Sequence, residues 1–228
     1  MTSLDGRVVI VTGGGRGLGR AHSLALAAKG ATVVVNDLGV GLHGEDSDEP
    51  SPADEVVSEI NAAGGTAMAD GTNVTDFVGM GELVAAVAQK YGAPHAVVNN
   101  AGVLRDRMIT SMTEDEFDAV IDVHLKGTWT LTRHACAYWR EQAKSGNVIS
   151  GRVVATTSGA GLWGNVGQTN YGPAKAAIAN LMLTTALEMQ RYGVTANALS
   201  PIAATRMLPV SSVGRSMRRA AGIRSILP

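Results

Sequence analysis

Residues 7–19 read Arg7-Val8-Val9-Ile10-Val11-Thr12-Gly13-Gly14-Gly15-Arg16-Gly17-Leu18-Gly19. The first six form an apolar, β-branched run of the kind that makes a strand buried on both faces of a parallel sheet. The glycines that follow let the backbone turn sharply and approach a bulky anion. A helical pattern then begins, with Leu18, Ala21, Leu24, Ala25 and Ala28 on one side. Strand, glycine turn and helix in that order can hold a pyrophosphate on the free N–H groups of a helix N-terminus. Gly13, Arg16, Gly17, Leu18 and Gly19 are therefore candidate cofactor contacts; the bland alternative is a glycine turn with no ligand.

Working outward, Thr32 to Val35 make a second strand that ends in Asn36-Asp37. Asp37 stands eighteen residues past Gly19, near the position that reads the adenosine ribose in such sites. A carboxylate there accepts from the ribose hydroxyls and repels a 2′-phosphate, which favours NAD over NADP. Arg16 argues more weakly for NADP, because a cation in the glycine turn can reach a 2′-phosphate. Without a ligand, Asp37 would serve as a strand-end turn residue.

The rest of the chain repeats the alternation. Strands are expected at Val8–Val11, Thr32–Val35, Thr66–Ala69, Ala96–Val98, Arg152–Thr156 and Val194–Leu199. Helices are expected at Gly17–Lys29, Pro52–Ala63, Asp76–Tyr91, Glu114–Lys144 and Asn170–Arg191, with Thr113 and Glu116 forming a capping box before the long fourth helix. The pattern predicts an α/β fold, a doubly wound parallel (Rossmann-like) sheet with helices on both faces. At 228 residues the chain has length for one such domain. A formal charge of −1 offers no electrostatic case for nucleic acid or an anionic membrane. Cys136 is the single cysteine, so no internal disulfide framework exists. With no apolar run of spanning length and no secretory leader pattern, a cytoplasmic protein is expected. No metal-ligand spacing stands out. Residues 39–55, rich in Gly, Pro and acid, read as a solvated loop leading into a helix.

A second constellation carries chemistry. Tyr171 and Lys175 lie four apart, one turn along one helix face, and Ser158 lies thirteen residues upstream at a strand end. An ammonium near a phenol favours the phenolate and would lower the tyrosine from its usual value of about 10. Such a tyrosine can exchange a proton with an alcohol or carbonyl. The serine hydroxyl can donate to the same oxygen. Alone, the pair could be two unconnected helix residues.

Together these motifs resemble the short-chain dehydrogenases/reductases. The likeness rests on Thr12–Gly19, on Asn99-Asn100-Ala101-Gly102, on Ser158, Tyr171 and Lys175, and on Asn197-Ala198-Leu199-Ser200-Pro201 with Thr205. It covers residues 5 to about 207. A narrower likeness, to the dehydrogenase unit of peroxisomal multifunctional enzymes, rests on Val33–Gly39, Leu104-Arg105-Asp106-Arg107 and Gly164–Tyr171. Relatives of that unit act on (3R)-hydroxyacyl-CoA esters and 17β-hydroxysteroids. The resemblance thus implies hydride transfer between NAD and a secondary alcohol or ketone on a CoA-linked or steroid body. It implies that Tyr171 takes the hydroxyl proton. Lys175 would hold the nicotinamide ribose, and Ser158 would orient the substrate oxygen. It places Asn73 and Val74 against adenine, Asn99, Ala101 and Gly102 along the adenosine ribose, and Pro201 and Thr205 by the nicotinamide. His124 stands where the family has an asparagine that links the lysine to solvent. It could relay protons with a pKa near 6.5 or be a packed helix residue.

The family continues well past Met207, with a helical lid, another helix and a last strand. Here residues 208–228 form an Arg-rich tail without such a pattern, so residues 1–207 are expected to be the domain and the last strand is expected to be missing. A lidless pocket and an open sheet edge would follow. A homodimer through the helices Glu114–Lys144 and Asn170–Arg191 is expected, without the tetramer contacts of the last strand. Truncation, a frame shift or a natural short variant would each give this ending. Two other functions stay open: a catalytically silent NAD-binding or interaction protein, and an NADP-dependent ketoacyl reductase using Arg16.

Overall fold

A computed structural model describes residues 3–39, 51–147 and 149–201. Six strands, β1 (Val8–Thr12), β2 (Thr32–Asn36), β3 (Thr66–Asp70), β4 (Ala96–Asn99), β5 (Arg152–Thr156) and β6 (Thr195–Leu199), form one sheet in the order β3-β2-β1-β4-β5-β6. All five pairings are parallel. Each crossover is helical: α1 (Gly17–Ala27), α2 (Pro52–Ala62), α3 (Phe77–Tyr91), then α4 (Glu114–Ile121) and α5 (Gly127–Lys144), and last α6 (Ala160–Trp163) with α7 (Tyr171–Met189). This is the doubly wound sheet the sequence predicts. The strand order reverses between β1 and β4, and such sheets bind ligands in the crevice outside the strand C-termini at that reversal.

Period-two alternation divides β1 between two cores. Val9 and Val11 face a layer with Val33, Val35, Val56 and Ile60, under α1 and α2. Val8 and Ile10 face Met80, Leu83, Leu131, Trp139, Ile178 and Met182, under α3, α5 and α7. Trp139 is fully buried, and its indole N–H donates to the Pro94 carbonyl at 2.7 Å, so its one polar atom is satisfied.

Two local departures matter for function. The expected single helix over Glu114–Lys144 is interrupted by a π turn at Asp122–Lys126, between α4 and α5. Such a turn adds one residue to the helical ladder and is frequent at functional sites; this one carries His124. The second departure is α6, four residues between β5 and α7, too short to show a helical period in the sequence. The capping box before α4 forms as expected: the Thr113 hydroxyl accepts from the Glu116 N–H, and the Glu116 carboxylate accepts from the Thr113 N–H. Ser51 caps α2 by accepting from the Asp54 N–H, so the expected loop over 39–55 has become helix by Pro52. Most of that loop and the whole 208–228 tail lie outside the described residues.

Candidate active site

The C-terminal ends of β1, β2, β4 and β5 meet in one network. The Thr12 hydroxyl accepts from the N–H groups of Asn100 and Ala101, at 3.0 and 3.2 Å. The Asn100 amide donates to the Gly13 carbonyl at 3.2 Å and accepts from the Thr156 hydroxyl at 3.4 Å. The glycine turn is therefore fastened to the strand that ends beside Ser158. A Cβ at Gly19 would lie 1.9 Å from the Gly13 carbonyl oxygen, so only glycine lets α1 begin this close to β1. The N-terminus of α1 has no side-chain cap and no acid in its first turn. A helix N-terminus of this kind suits an anion. Asp37 reaches the same turn: one carboxylate oxygen accepts from the Gly15 N–H and the other from the Gly39 N–H, both at 2.9 Å. Asn73 has its side-chain oxygen engaged by the Thr75 N–H and hydroxyl, which leaves its NH₂ to donate. These residues fit a dinucleotide.

Two of the matched residues make contacts within the fold itself. Asn99 is buried and donates to the Thr132 hydroxyl at 3.0 Å, and Val74 is buried against Gly127. Both hold the fold. Pro201 is half-buried just past β6, and Thr205 lies outside the described residues.

At the reaction end, Tyr171 opens α7 and Lys175 follows one turn later. Lys175 is only 3 % exposed, and its ammonium donates to the Thr156 carbonyl at 2.6 Å. Burial lowers its pKa from 10.5 to about 7. Its nitrogen lies 5.5 Å from the Tyr171 ring centroid. Ser158, in the turn before α6, accepts from the Ala160 N–H at 3.2 Å. Tyr171 does not have the lowered pKa expected from the lysine spacing. Burial pushes it above its ordinary value, a hydrogen bond with Ser158 draws it down, and the Asp106 carboxylate pushes it up again. Desolvation penalises the phenolate, and the nearby lysine has lost much of its own tendency to stay charged.

His124 also differs from expectation. It is 1 % exposed, and its ring meets Tyr171 edge-on at 5.1 Å and 87°. Nε2 lies 2.8 Å from the Val103 carbonyl oxygen and 3.2 Å from the Val103 nitrogen, so its role follows the tautomer, and Nδ1 has no partner among the described residues. Burial, then the charge of Lys175, lowers its pKa to about 3, against a weaker upward pull from the Val103 bond. Burial thus favours the neutral imidazole near pH 7 over the charged form. A Cβ at Gly102 would sit 2.3 Å from His124 Cε1. Gly102 therefore makes room for this histidine.

Asn170 is the residue the sequence reading passed over. It is fully buried; its NH₂ donates to the carbonyls of Arg105 and Glu116 at 2.9 and 3.1 Å, and its oxygen accepts from the Tyr171 N–H at 2.7 Å. One side chain thus ties the segment after β4 and the first turn of α4 to the start of α7. An asparagine directly before a helix was the available signal. A separate hollow lined by Asp5, Lys29, Gly30, Gly64 and Thr66 lies at the N-terminal ends of β2 and β3, away from this chemistry.

The family model for short chain dehydrogenase matches residues 7–209. The chain belongs to the short chain dehydrogenase family. This short chain dehydrogenase is 48% identical over 212 residues to a hydroxyacyl-CoA dehydrogenase of Mycobacterium tuberculosis, covering 90% of this chain and 64% of that protein. It is 43% identical over 203 residues to the peroxisomal multifunctional enzyme type 2 of Drosophila melanogaster, covering 89% of this chain and 32% of that enzyme. A solved short chain dehydrogenase from Mycobacterium avium superposes with a TM-score of 0.84 at 56% identity, over 92% of this chain and 72% of that one. The family and the narrower likeness read from Val33–Gly39 and Gly164–Tyr171 are both shown. As a family member, the chain is an oxidoreductase that takes a nicotinamide cofactor. No helix among the described residues is long and apolar enough to cross a membrane, and no group of three or more His, Cys, Asp or Glu there could hold a metal.

Proposed function

We propose that this chain uses NAD to oxidise the secondary alcohol of a hydroxyacyl-CoA or hydroxysteroid to the ketone. The observation that supports it most is spatial: Tyr171, Lys175 and Ser158 gather at the end of β5, fastened through Asn100 to the glycine turn that Asp37 braces. Hydroxyacyl-CoA dehydrogenation by a relative supports the substrate class.

Nicotinamide supplies the hydride acceptor. The chain's own residues handle the proton and the charge. In its phenolate form, Tyr171 receives the hydroxyl proton as the C–O bond becomes C=O. The Ser158 hydroxyl donates to the reacting oxygen and offsets its developing charge. Lys175, held by Thr156, would bind the nicotinamide ribose. His124 packs edge-on against Tyr171 and leaves Nδ1 open for a proton path. Asn170 fixes the start of α7. Because Tyr171 is a phenol at neutral pH, oxidation accelerates as pH rises and ketone reduction is favoured as it falls. The Asp37 carboxylate supports NAD over NADP. Exposed Trp129 on α5 and Leu183 and Leu187 on α7 support a homodimer through these helices. A cytoplasmic setting, and a domain over residues 1–207 followed by a separate tail, complete the proposal.

The test is calorimetric titration with NAD and with NADP, followed by a turnover screen of hydroxyacyl-CoA and steroid alcohols at 340 nm. Tight NAD binding with turnover supports the reading. NADP preference would favour a ketoacyl reductase using Arg16, and NAD binding with no turnover a silent binding protein.

A further inference from the structure

Thr157, directly past β5, has no part in the proposed reaction, yet its side chain bonds Lys175. Side chains alternate along an extended strand, so Thr156 and Thr157 serve opposite faces of the sheet. The Thr156 hydroxyl donates to Asn100, on the nucleotide side, at 3.4 Å. The Thr157 hydroxyl donates to the Lys175 carbonyl of α7 at 2.6 Å. The Thr157 N–H donates to the Leu199 carbonyl of β6 at 2.8 Å, so the hydroxyl reaches α7 from a backbone anchored in the sheet. The Thr156 carbonyl accepts from the Lys175 ammonium, also at 2.6 Å. Two consecutive residues therefore hold both ends of one lysine, its carbonyl and its ammonium. The short helix α6 adds a steric limit. A Cβ at Gly161 would lie 2.6 Å from the Ala176 nitrogen and 2.8 Å from the Lys175 carbonyl carbon, so α6 rests on the same peptide that Thr157 bonds. The Gly161 N–H donates to the Ser158 carbonyl at 3.0 Å, which ties that contact back to the turn after β5. Lys175 is buried in this frame, whereas Lys90, Lys126 and Lys144 are exposed.

We propose that Thr157 is a positioning residue for the nicotinamide end of the site: its hydroxyl sets α7 at Lys175 so that the ammonium meets the Thr156 carbonyl and the nicotinamide ribose together. The inference rests on the reading that Lys175 binds that ribose. A lysine stem is long and flexible, and ordering it costs entropy. Held at both ends by adjacent residues, the stem keeps a narrow range of conformations before the cofactor arrives, and less freedom is lost on binding. The ammonium has donors left beyond the one given to Thr156. A valine at position 157 keeps the branched shape but cannot bond the Lys175 carbonyl. Packing alone would then hold α7 at this point.

The experiment is a double-mutant cycle on NAD affinity, by calorimetric titration of the wild type, Thr157→Val, Lys175→Met and the two combined. Thr157→Val should weaken NAD binding about three- to tenfold when Lys175 is present and by less than about twofold when it is methionine. Thr157→Ser keeps the hydroxyl and should restore wild-type affinity. An equal loss in both backgrounds, or no loss beside Lys175, overturns the proposal and shows Thr157 to be packing support for α7. A second measurement needs no cofactor: acetylation of the lysines and alkylation of Cys136, followed by mass spectrometry. Thr157→Val should speed labelling of Lys175 severalfold relative to Lys90 and Lys126. Labelling of Cys136, which packs against the core on α5, should not change. An unchanged Lys175, or equal acceleration at Cys136, also overturns the proposal. If Lys175→Met leaves NAD affinity untouched, the ribose contact fails, and the labelling rates decide whether Thr157 positions Lys175.

Discussion

Lys175→Met isolates the cost of burying a lysine beneath the proton-transfer site. The folded chain lowers the amine from 10.5 to about 7. At ~1.4 kcal/mol per pH unit, this penalises the protonated form by on the order of 5 kcal/mol relative to the unfolded chain. Between pH 7 and 10.5 the unfolded chain carries a proton here that the folded chain lacks, so stability rises with pH across that window. Below it both states are protonated and the penalty stands in full. Methionine fills a similar volume without charge but leaves the Thr156 carbonyl unpaired, which costs ~1–3 kcal/mol at every pH. The diagnostic quantity is therefore the pH dependence of the difference between variant and wild type. Water entry and local relaxation reduce the full figure, so the variant's relative stability should fall by at least about 2 kcal/mol from pH 6.5 to pH 9.5. Urea unfolding followed by circular dichroism reads this directly. Parallel stability curves would refute the claim that burial holds this amine near neutrality.

Three further outcomes follow from named contacts. His124 is neutral in the folded chain down to about pH 3, whereas the unfolded chain protonates near 6.5, so stability drops as pH falls through that interval; His124→Gln should flatten this acid limb in urea titrations, and an unchanged limb would assign it elsewhere. Asn170→Ala strands two carbonyls and one N–H, and should lower stability by ~2–4 kcal/mol in denaturant unfolding and lower kcat with little change in KM; full kcat would remove Asn170 from positioning Tyr171. Asp37→Ser removes the charge that repels a 2′-phosphate, and the ratio of NAD to NADP affinity should fall at least about tenfold by calorimetry; a constant ratio would mean that Asp37 does not face the ribose.

Much of this architecture was legible in the sequence because its signals are local. Buried parallel strands such as Val8–Thr12 read as continuous apolar runs, and the glycine turn, Asp37 and the Tyr171–Lys175 spacing carry their geometry in residue numbers. What stayed hidden depends on the fold. The π turn at His124 changes the helical period for a single turn, which no window of residues resolves. The upward push on Tyr171 and the downward push on Lys175 come from desolvation, a property of the packed site. The role of Asn170 shows only once the fold brings the Arg105 and Glu116 carbonyls to its amide. The contact between Asp106 and Gln168 spans sixty-two positions and has no sequence signature.

The most direct measurement is NADH formation at 340 nm from NAD and a (3R)-hydroxyacyl-CoA, by the wild type and by Tyr171→Phe, across a range of pH. If Tyr171 takes the hydroxyl proton, the wild-type rate climbs with pH and Tyr171→Phe loses activity by at least about a hundredfold while still binding NAD. Comparable rates in the two proteins, or a wild-type rate that does not respond to pH, would contradict proton transfer at Tyr171.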